Sequence, residues 1–392
     1  MIKYPYSKQN ITKKDINAVT RALKSRYITQ GTEVENLEKE LGEVMGSKFA
    51  IIVNSGTAAL HISYHILGVD KDNGVITSPI TFLSTANAGA LLNSPVYFTD
   101  VDHKTGLMTC DTLSDSLETI KSNIGLVVPV HLAGRACDMV GINKEARKRG
   151  MHIVEDASHA PLAEYSNNKG NKYKVGACKH SDITIMSLHA IKHIAMGEGG
   201  VILTNNKSYA DKAKRLRSHG IIRDSKLWTG IAAEKNAPWY YEMQDIGWNY
   251  RATEMQCALG RSQLSLIHKS LYKRNIIANK YNKLLSNIDG ISLPCRSLNN
   301  ENHSYHLYAI AIDFDVLKKT RISIINALLK KGIGTQVHYI PLFFQPYYST
   351  DMNNYPGAVK YYNSTLSIPM YIGLKTEDIK YISNAIINVI YE

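Results

Sequence analysis

Short apolar runs alternate with amphipathic stretches through the first half of the chain. The runs have the length of strands, and the segments between them carry apolar residues at the three- and four-residue spacing of a helix. This β-then-α alternation predicts an α/β fold with a large, mostly parallel sheet of seven strands. The predicted strands are Ala50–Val53, Gly74–Thr77, Pro95–Phe98, Gly125–Val130, His152–Glu155, Asp182–Met186 and Gly200–Leu203.

The hydrophobic pattern changes near residue 205. A helical period from Ala252 to Leu285 predicts one long, partly exposed helix, and the polar stretch from Asp224 to Tyr241 predicts a loop. Later segments predict a smaller α+β domain with the strands Leu307–Ile312 and Gly334–His338 and the helices Ile322–Lys331 and Thr376–Val389. We therefore expect a large domain over residues 1–250, and a linking helix with a smaller C-terminal domain over residues 251–392.

Composition and charge narrow the class of protein. Hydrophobic residues make up 44% of the 392 residues and charged residues 20%, which excludes a mainly disordered chain. A net charge of +12 favours anionic partners without choosing among nucleic acid, membranes and phosphorylated small molecules. Five scattered cysteines without zinc-ligand spacing predict reduced thiols and no metal site. Because we find neither a signal peptide nor an apolar run of roughly 18 residues, we expect a cytoplasmic protein.

Two motifs lie where strands of the predicted sheet end, which is where open α/β sheets bind their ligands. Asn54-Ser55-Gly56-Thr57 follows one strand and precedes a helix, so its backbone N–H groups can bind an anion. A plain helix N-cap explains the same residues. Glu155-Asp156 ends another strand, and Asp156 can either pair with a protonated ring nitrogen or act as a cap or ion-pair residue.

Lys192 lies in an otherwise apolar patch, with Ser187 before it and a glycine-rich stretch after it. A desolvated lysine amine has a lowered pKa and can attack an aldehyde, although most lysines simply lie at the surface. Ser187 can bind a phosphate, and Phe82 can stack on an aromatic ring or lie in the core. Gly247-Trp248-Asn249-Tyr250-Arg251 can bind an anion or merely begin a basic helix. Together these motifs supply the parts of a pyridoxal-phosphate site.

The same motifs resemble those of the DegT/DnrJ/StrS sugar aminotransferases. The resemblance extends from Tyr27 to Pro341, and the blocks around Asp156 and Lys192 are specific to the family. It implies a pyridoxal-phosphate enzyme of fold type I that works as a homodimer with active sites at the subunit interface. The motifs that carry it are Asn54-Ser55-Gly56-Thr57-Ala58-Ala59-Leu60, Glu155-Asp156-Ala157-Ser158-His159-Ala160, Ser187-Leu188-His189-Ala190-Ile191-Lys192, Arg217-Ser218-His219-Gly220 and Gly247-Trp248-Asn249-Tyr250-Arg251.

The resemblance also implies roles for individual residues. Lys192 would hold the cofactor as a Schiff base and move protons, and Asp156 would pair with the pyridine nitrogen. The other implied cofactor contacts are Gly56, Thr57 and Ser187 at the phosphate, Phe82 on the ring face, His159 at the ring hydroxyl, and Asn249 of the other subunit at the phosphate. The implied sugar-nucleotide contacts are Tyr6, Thr29, Arg251, His306 and His338. Structural histidines would explain the last two equally well.

Within the family, three segments resemble the UDP-4-amino-4,6-dideoxy-N-acetyl-β-L-altrosamine aminotransferases of pseudaminic acid biosynthesis. They are Ser158-His159-Ala160, where many members have Gln for the histidine, His189-Ala190-Ile191-Lys192, and Trp239-Tyr240-Tyr241. Pro161-Leu162-Ala163 departs from the usual glycine-containing form. This branch implies amino transfer from L-glutamate to carbon 4 of a nucleotide-linked 4-keto-6-deoxy sugar, such as UDP-2-acetamido-2,6-dideoxy-β-L-arabino-hexos-4-ulose.

Three alternatives stay open from the sequence alone. A related aminotransferase could act on a different sugar or nucleotide, for example of the perosamine or viosamine type. Relatives that remove a sugar hydroxyl carry His in place of the lysine, so Lys192 argues against such a dehydratase. A nucleic-acid-binding regulator rests on the basic charge alone, because the chain has no dense Lys/Arg run interleaved with aromatic residues.

Overall fold

A computed structural model of the protein describes residues 2–230, 237–294 and 302–391. Its strands are β1 (Phe49–Val53), β2 (Gly74–Thr77), β3 (Val96–Phe98), β4 (Ile124–Val128), β5 (His152–Asp156), β6 (Glu164–Ser166), β7 (Lys172–Lys174), β8 (Ile183–Ser187), β9 (Gly200–Thr204), β10 (Ile221–Ile222), β11 (Glu242–Met243), β12 (Ile291–Ser292), β13 (Tyr308–Ile312) and β14 (Thr365–Ile368). Its α-helices are α1 (Lys13–Leu23), α2 (Thr32–Met45), α3 (Gly56–Ile66), α4 (Leu83–Ala90), α5 (Cys110–Thr119), α6 (Met139–Lys148), α7 (Lys207–Leu216), α8 (Glu254–Leu264), α9 (Ile267–Leu284), α10 (Arg321–Lys330), α11 (Pro356–Ser364) and α12 (Thr376–Tyr391).

The main sheet has seven strands in the order β1-β9-β8-β5-β4-β2-β3. Strand β9 runs antiparallel to both of its neighbours, and the other six strands share one direction. The predicted α/β class and the seven predicted strands are confirmed, with strand ends that differ by at most two residues. The carboxyl ends of the six strands therefore meet at one edge of the sheet, where β9 begins.

Apolar cores cover both faces of this sheet. Along β1, Ile51 and Val53 pack into one core and Ala50 and Ile52 into the other, because side chains alternate along a strand. Helices α3 and α7 contribute to the first core, and α2, α5 and α6 to the second. Burial on both faces explains why the strands are continuous apolar runs in the sequence.

The C-terminal part has a separate apolar core. Strands β12, β13 and β14 form an antiparallel sheet, and helices α9, α10 and α12 cover it with residues such as Tyr281, Leu328 and Ile386. This agrees with the α+β character expected from the sequence. The division into two domains at residue 250 stays a prediction.

Two of the predicted elements are wrong. The helix expected from Ala252 to Leu285 is interrupted between α8 and α9, where the Ser265 hydroxyl donates to the Ser262 carbonyl at 2.6 Å. The strand expected at Gly334–His338 is only an extended segment, because it forms a single bridge between Gln336 and Ser367 and then turns away from the sheet.

The remaining expectations concern the loop, the thiols and the membrane. The described parts of the loop at 224–241 are irregular apart from a short 3-10 turn at Ser225–Leu227, and residues 231–236 lie outside the described residues. Four cysteines are free thiols, and Cys295 lies outside the described residues. Within the described ranges, no helix combines the length and the apolar character that crossing a bilayer requires.

Candidate active site

A cavity of about 680 Å³ opens at the carboxyl edge of the main sheet. Residues that follow β1, β2, β4, β5 and β8 line one side, and the segment 336–345 lines the other. All but three of the predicted site residues line it: Tyr6, Gly56, Thr57, Phe82, Asp156, His159, Ser187, Lys192, His306 and His338. The fold thus brings together residues that are far apart in the sequence.

One end of the cavity is suited to an anion. Helix α3 begins there, and the Ser55 hydroxyl caps it by accepting from the Ala58 N–H at 3.1 Å. The N–H groups of the first helical turn have no partner within the helix, so Gly56 and Thr57 can offer theirs to a ligand. Ser187 closes this end, since a Cβ atom on Gly56 would lie 3.0 Å from the Ser187 Cβ. At Gly200, a Cβ atom would lie 2.2 Å from the Ser55 carbonyl oxygen, so only glycine allows β9 to begin here.

Asp156 is the buried last residue of β5, and two donors fix its carboxylate. Its Oδ2 accepts from the Thr85 hydroxyl at 2.8 Å, and its Oδ1 accepts from the Ser158 N–H at 3.1 Å. The neighbouring Glu155 points to the other face of the sheet, where it accepts from His131 Nε2 at 2.9 Å. The two adjacent acids therefore have different roles in the structure: Glu155 forms a buried hydrogen bond with His131, and Asp156 lines the cavity.

Lys192 lies in the loop 188–199, which connects β8 to β9. The Leu188 N–H donates to the Gly199 carbonyl and the Ala190 N–H to the Gly197 carbonyl, each at 2.8 Å, so both ends of the loop are anchored. Burial lowers the pKa of the Lys192 amine to about 8, against the opposing effect of the Asp156 carboxylate. The neutral, nucleophilic form of the amine is therefore much more abundant near neutral pH than it is for an exposed lysine.

Aromatic rings and histidines line much of the rest of the cavity. Phe82 is 57% exposed and lies on the cavity wall, so the alternative that it is a core residue is wrong. His338 Nδ1 lies 2.9 Å from the Ser367 hydroxyl, and burial together with the charge of Lys192 lowers the pKa of His338 to about 3. The His306 ring stacks on the His159 ring at 4.4 Å, and burial holds the pKa of His306 well below its usual value. These imidazoles are neutral at physiological pH.

Three predicted residues lie outside the cavity of this chain. The backbone of Thr29 forms a bridge with Thr253, and the backbone of Asn249 forms one with Ser218. The side chains of Thr29 and Asn249 are exposed, and that of Arg251 is half-buried. The resemblance had placed Asn249 at the site of the other subunit. The roles of all three residues stay predictions.

Sequence reasoning missed two residues at the site. Thr85 holds Asp156, and Tyr339 lines the cavity. The His338-Tyr339 pair lies within the run that ends the family resemblance, so the sequence held a signal for Tyr339. Thr85 lies inside an ordinary helical pattern, which gave no such signal.

The cavity combines a helix N-terminus with a serine, a fixed carboxylate and a lysine of lowered pKa. These groups match the phosphate, the ring nitrogen and the aldehyde carbon of pyridoxal phosphate. The fold and the site thus define a pyridoxal-phosphate-dependent transferase of fold type I.

Comparison with known proteins identifies the family. The chain belongs to the DegT/DnrJ/EryC1/StrS aminotransferase family, whose model matches residues 9–387, and it is a sugar aminotransferase. The resemblance, the fold class and the cofactor predicted from the sequence are confirmed.

Three relatives are similar over nearly their whole length. The chain is 34% identical to the UDP-4-amino-4,6-dideoxy-N-acetyl-beta-L-altrosamine transaminase of Campylobacter jejuni, with 98% of this chain and 97% of the relative covered. It is 33% identical to the spore coat polysaccharide biosynthesis protein SpsC of Bacillus subtilis, with the same coverage. The structure of Helicobacter pylori PseC, an aminotransferase involved in pseudoaminic acid biosynthesis, matches with a TM-score of 0.87, 29% identity and 98% coverage of both chains.

Proposed function

We propose that this protein transfers the amino group of L-glutamate to carbon 4 of a nucleotide-linked 4-keto-6-deoxy sugar. The observation that carries the proposal is the half-buried Lys192 amine, which lines one cavity together with a helix N-terminus and a fixed carboxylate. The substrate we favour is UDP-2-acetamido-2,6-dideoxy-β-L-arabino-hexos-4-ulose. Two relatives support this choice, since the Campylobacter jejuni protein is an altrosamine transaminase and PseC is involved in pseudoaminic acid biosynthesis.

The residues of the cavity suit the cofactor. Gly56, Thr57 and Ser187 would hold its phosphate, Asp156 its ring nitrogen and Lys192 its aldehyde carbon. Phe82 would cover one face of the ring, and His159 would lie on the side of the ring hydroxyl. When bound, pyridoxal phosphate supplies an electron sink for the carbon that gains or loses the amino group.

The chain itself supplies positioning and proton transfer. With a pKa of about 8, the Lys192 amine exchanges protons readily at neutral pH, which suits it to act as general base and general acid. A positioned group of this kind accelerates a reaction by about 10²–10⁴-fold. The Thr85 hydroxyl and the Ser158 N–H hold the Asp156 carboxylate as an acceptor in one orientation.

The nucleotide sugar would lie at the open side of the cavity. Tyr6, His306 and His338, which line the cavity in this chain, would contact it. Thr29 and Arg251 would complete the sugar-nucleotide site, and Asn249 of the other subunit of a homodimer would reach the cofactor phosphate. The net charge of +12 suits a cofactor and a substrate that are both anionic.

The proposal is tested by absorption spectroscopy of the purified, cofactor-loaded protein. We expect L-glutamate to shift the visible band of the bound cofactor to the near ultraviolet, and the favoured 4-keto sugar nucleotide to restore it. If perosamine- or viosamine-type keto sugars restore the visible band and the UDP sugar does not, the proposed substrate is wrong but the reaction class is correct. A visible band that neither glutamate nor any keto sugar changes would contradict the proposal.

A further inference from the structure

Tyr339 is a cavity residue to which the sequence assigned no role. Three aromatic neighbours fix the orientation of its ring: Phe82 at 6.2 Å between ring centroids, His159 at 6.1 Å and nearly parallel, and His338 at 4.9 Å edge-on. The ring is half-buried, and its hydroxyl lies 3.2 Å from His159 Nε2. The direction of this hydrogen bond determines what the hydroxyl can do for a ligand.

The position of the proton on His159 sets that direction. The Ala133 N–H donates to His159 Nδ1 at 3.3 Å, so Nδ1 is an acceptor and carries no proton. Burial and the charge of Lys192 hold the pKa of His159 well below its usual value, so the ring is neutral. A neutral imidazole with an unprotonated Nδ1 carries its proton on Nε2. His159 Nε2–H therefore donates to the Tyr339 oxygen.

The Tyr339 proton must then point elsewhere. Burial raises the pKa of Tyr339, and the Asp156 carboxylate adds to this effect, so the hydroxyl keeps its proton. Within the described parts of the chain, the hydroxyl has no second hydrogen-bond partner, and Tyr339 lines the cavity. It is thus a donor whose acceptor can come from a bound molecule.

We propose that the Tyr339 hydroxyl donates a hydrogen bond to an unprotonated oxygen of a molecule bound in the cavity, and that His159 is the positioning residue that fixes this direction. The inference rests on the proposed function, which supplies two such oxygens: the phenolic oxygen of the cofactor ring and the carbonyl oxygen of the keto sugar. A fixed donor to either oxygen stabilises negative charge that develops there during the reaction.

The first experiment compares Tyr339→Phe with the wild-type holoenzyme in the absence of substrate and in each half-reaction separately. If the acceptor is the cofactor oxygen, the visible band shifts before any substrate is added. If the acceptor is the sugar carbonyl, the band and the glutamate half-reaction are unchanged, and the keto-sugar half-reaction slows about tenfold. No spectral shift, together with rates within twofold of wild type in both half-reactions, would overturn the inference.

Tyr355→Phe is the matched control, because Tyr355 is also half-buried but stacks on Phe343 outside the cavity lining. We expect it to leave both the spectrum and the rates unchanged. Failure of the proposed function would be seen separately, as a wild-type protein that responds to neither glutamate nor any keto sugar. In that case the spectral comparison of Tyr339→Phe with wild type still tests donation to the cofactor oxygen.

A second set of variants tests the role of His159. His159→Leu removes the Nε2–H donor and should reproduce the Tyr339→Phe defect, whereas His159→Gln keeps an N–H donor and should restore part of the lost rate or band position. The double variant His159→Leu/Tyr339→Phe should be no worse than His159→Leu alone, because the two residues act through one hydrogen bond. Additive defects would show that His159 does not position Tyr339.

Discussion

At the scale of single residues, the protonation of Lys192 controls its reactivity. Burial lowers the pKa of its amine to about 8, so the neutral form increases as pH rises through that value. We expect the rate at which the cofactor-free protein captures pyridoxal phosphate covalently to be half-maximal near pH 8. Borohydride trapping followed by mass measurement checks this, with Lys192→Ala as the control that captures nothing at the site. Half-maximal capture above pH 10, as for an exposed lysine, would contradict the burial argument.

Thr85 offers a second prediction at this scale. Its buried hydroxyl donates to the Asp156 carboxylate, whereas the equally buried Thr77 hydroxyl donates to the neutral Val128 carbonyl at 2.8 Å. A hydrogen bond to a charged group contributes about 2 kcal/mol and a neutral one about 1 kcal/mol. Thr85→Val should therefore cost more stability in urea unfolding than Thr77→Val, and only Thr85→Val should weaken cofactor retention on dialysis. If both variants retain the cofactor equally well on dialysis, Thr85 has no role in cofactor binding.

Apart from Tyr6, each predicted residue that lines the cavity lies in a motif directly after a strand or in a segment that resembles the family. Asp156 and Lys192 could be found because strand ends meet at one edge of an α/β sheet. The Thr85 bond to Asp156 joins residues 71 positions apart, on a helix and a strand. Helical periodicity shows that Thr85 faces inward but not which side chain it meets. Such partners require the structure.

At the scale of secondary-structure elements, the N-terminus of α3 is the proposed binding site for the cofactor phosphate. A methyl group on Gly56 would lie 3.0 Å from the Ser187 Cβ, between the helix terminus and the serine that closes it. We expect Gly56→Ala to raise the dissociation constant for pyridoxal phosphate about tenfold, through lost contacts to the helix terminus. A titration of the cofactor-free protein, followed by absorbance, measures this. Gly373→Ala, where a Cβ atom has only ordinary contacts, should bind as wild type does.

Helix α9 carries a buried cation that supports the cavity from behind. The Arg274 guanidinium donates to the carbonyls of Tyr305, His306 and Met370 at 2.9–3.3 Å. Burial lowers the pKa of Arg274 to about 10. Arg274→Met would leave these buried acceptors short of a donor, so we expect a loss of about 3 kcal/mol in the free energy of unfolding. Urea unfolding tests this against the exposed neighbour Lys273→Met, for which we expect less than about 0.5 kcal/mol.

The elements that the sequence predicted well are the strands of the main sheet, because burial on both faces makes them short, continuous apolar runs. The break between α8 and α9 was missed, since Ser265 does not interrupt the apolar period. The segment 334–338 has the composition of a strand but forms only one bridge to β14, and its last residue turns into the cavity. Composition cannot show whether a strand-like segment finds a partner along its length.

At the scale of the whole molecule, the proposed homodimer makes a specific prediction. If each site combines Lys192 of one chain with Asn249 of the other, then neither Lys192→Ala nor Asn249→Ala is active alone. Refolding the two together should restore roughly a quarter of wild-type activity, because half of the dimers are hybrids with one intact site each.

A second mixture of two inactive variants serves as the control for this experiment. Lys192→Ala and Asp156→Ala affect residues of one chain's cavity, so their hybrids contain no intact site and should stay inactive. Equal recovery in both mixtures, or recovery in neither, would contradict the assignment of Asn249 to the neighbouring subunit.

The reversed direction of β9 has a consequence for the motion of Lys192. Because β8 and β9 are antiparallel neighbours, the loop between them leaves the sheet and returns to it at the same place, with Ser187 paired to Gly200. The backbone that carries the amine is thus anchored to the sheet at both ends of the loop. In the proposed reaction, only the side-chain torsions of Lys192 would remain to be ordered each time the amine binds, which limits the entropic cost to about 2 kcal/mol.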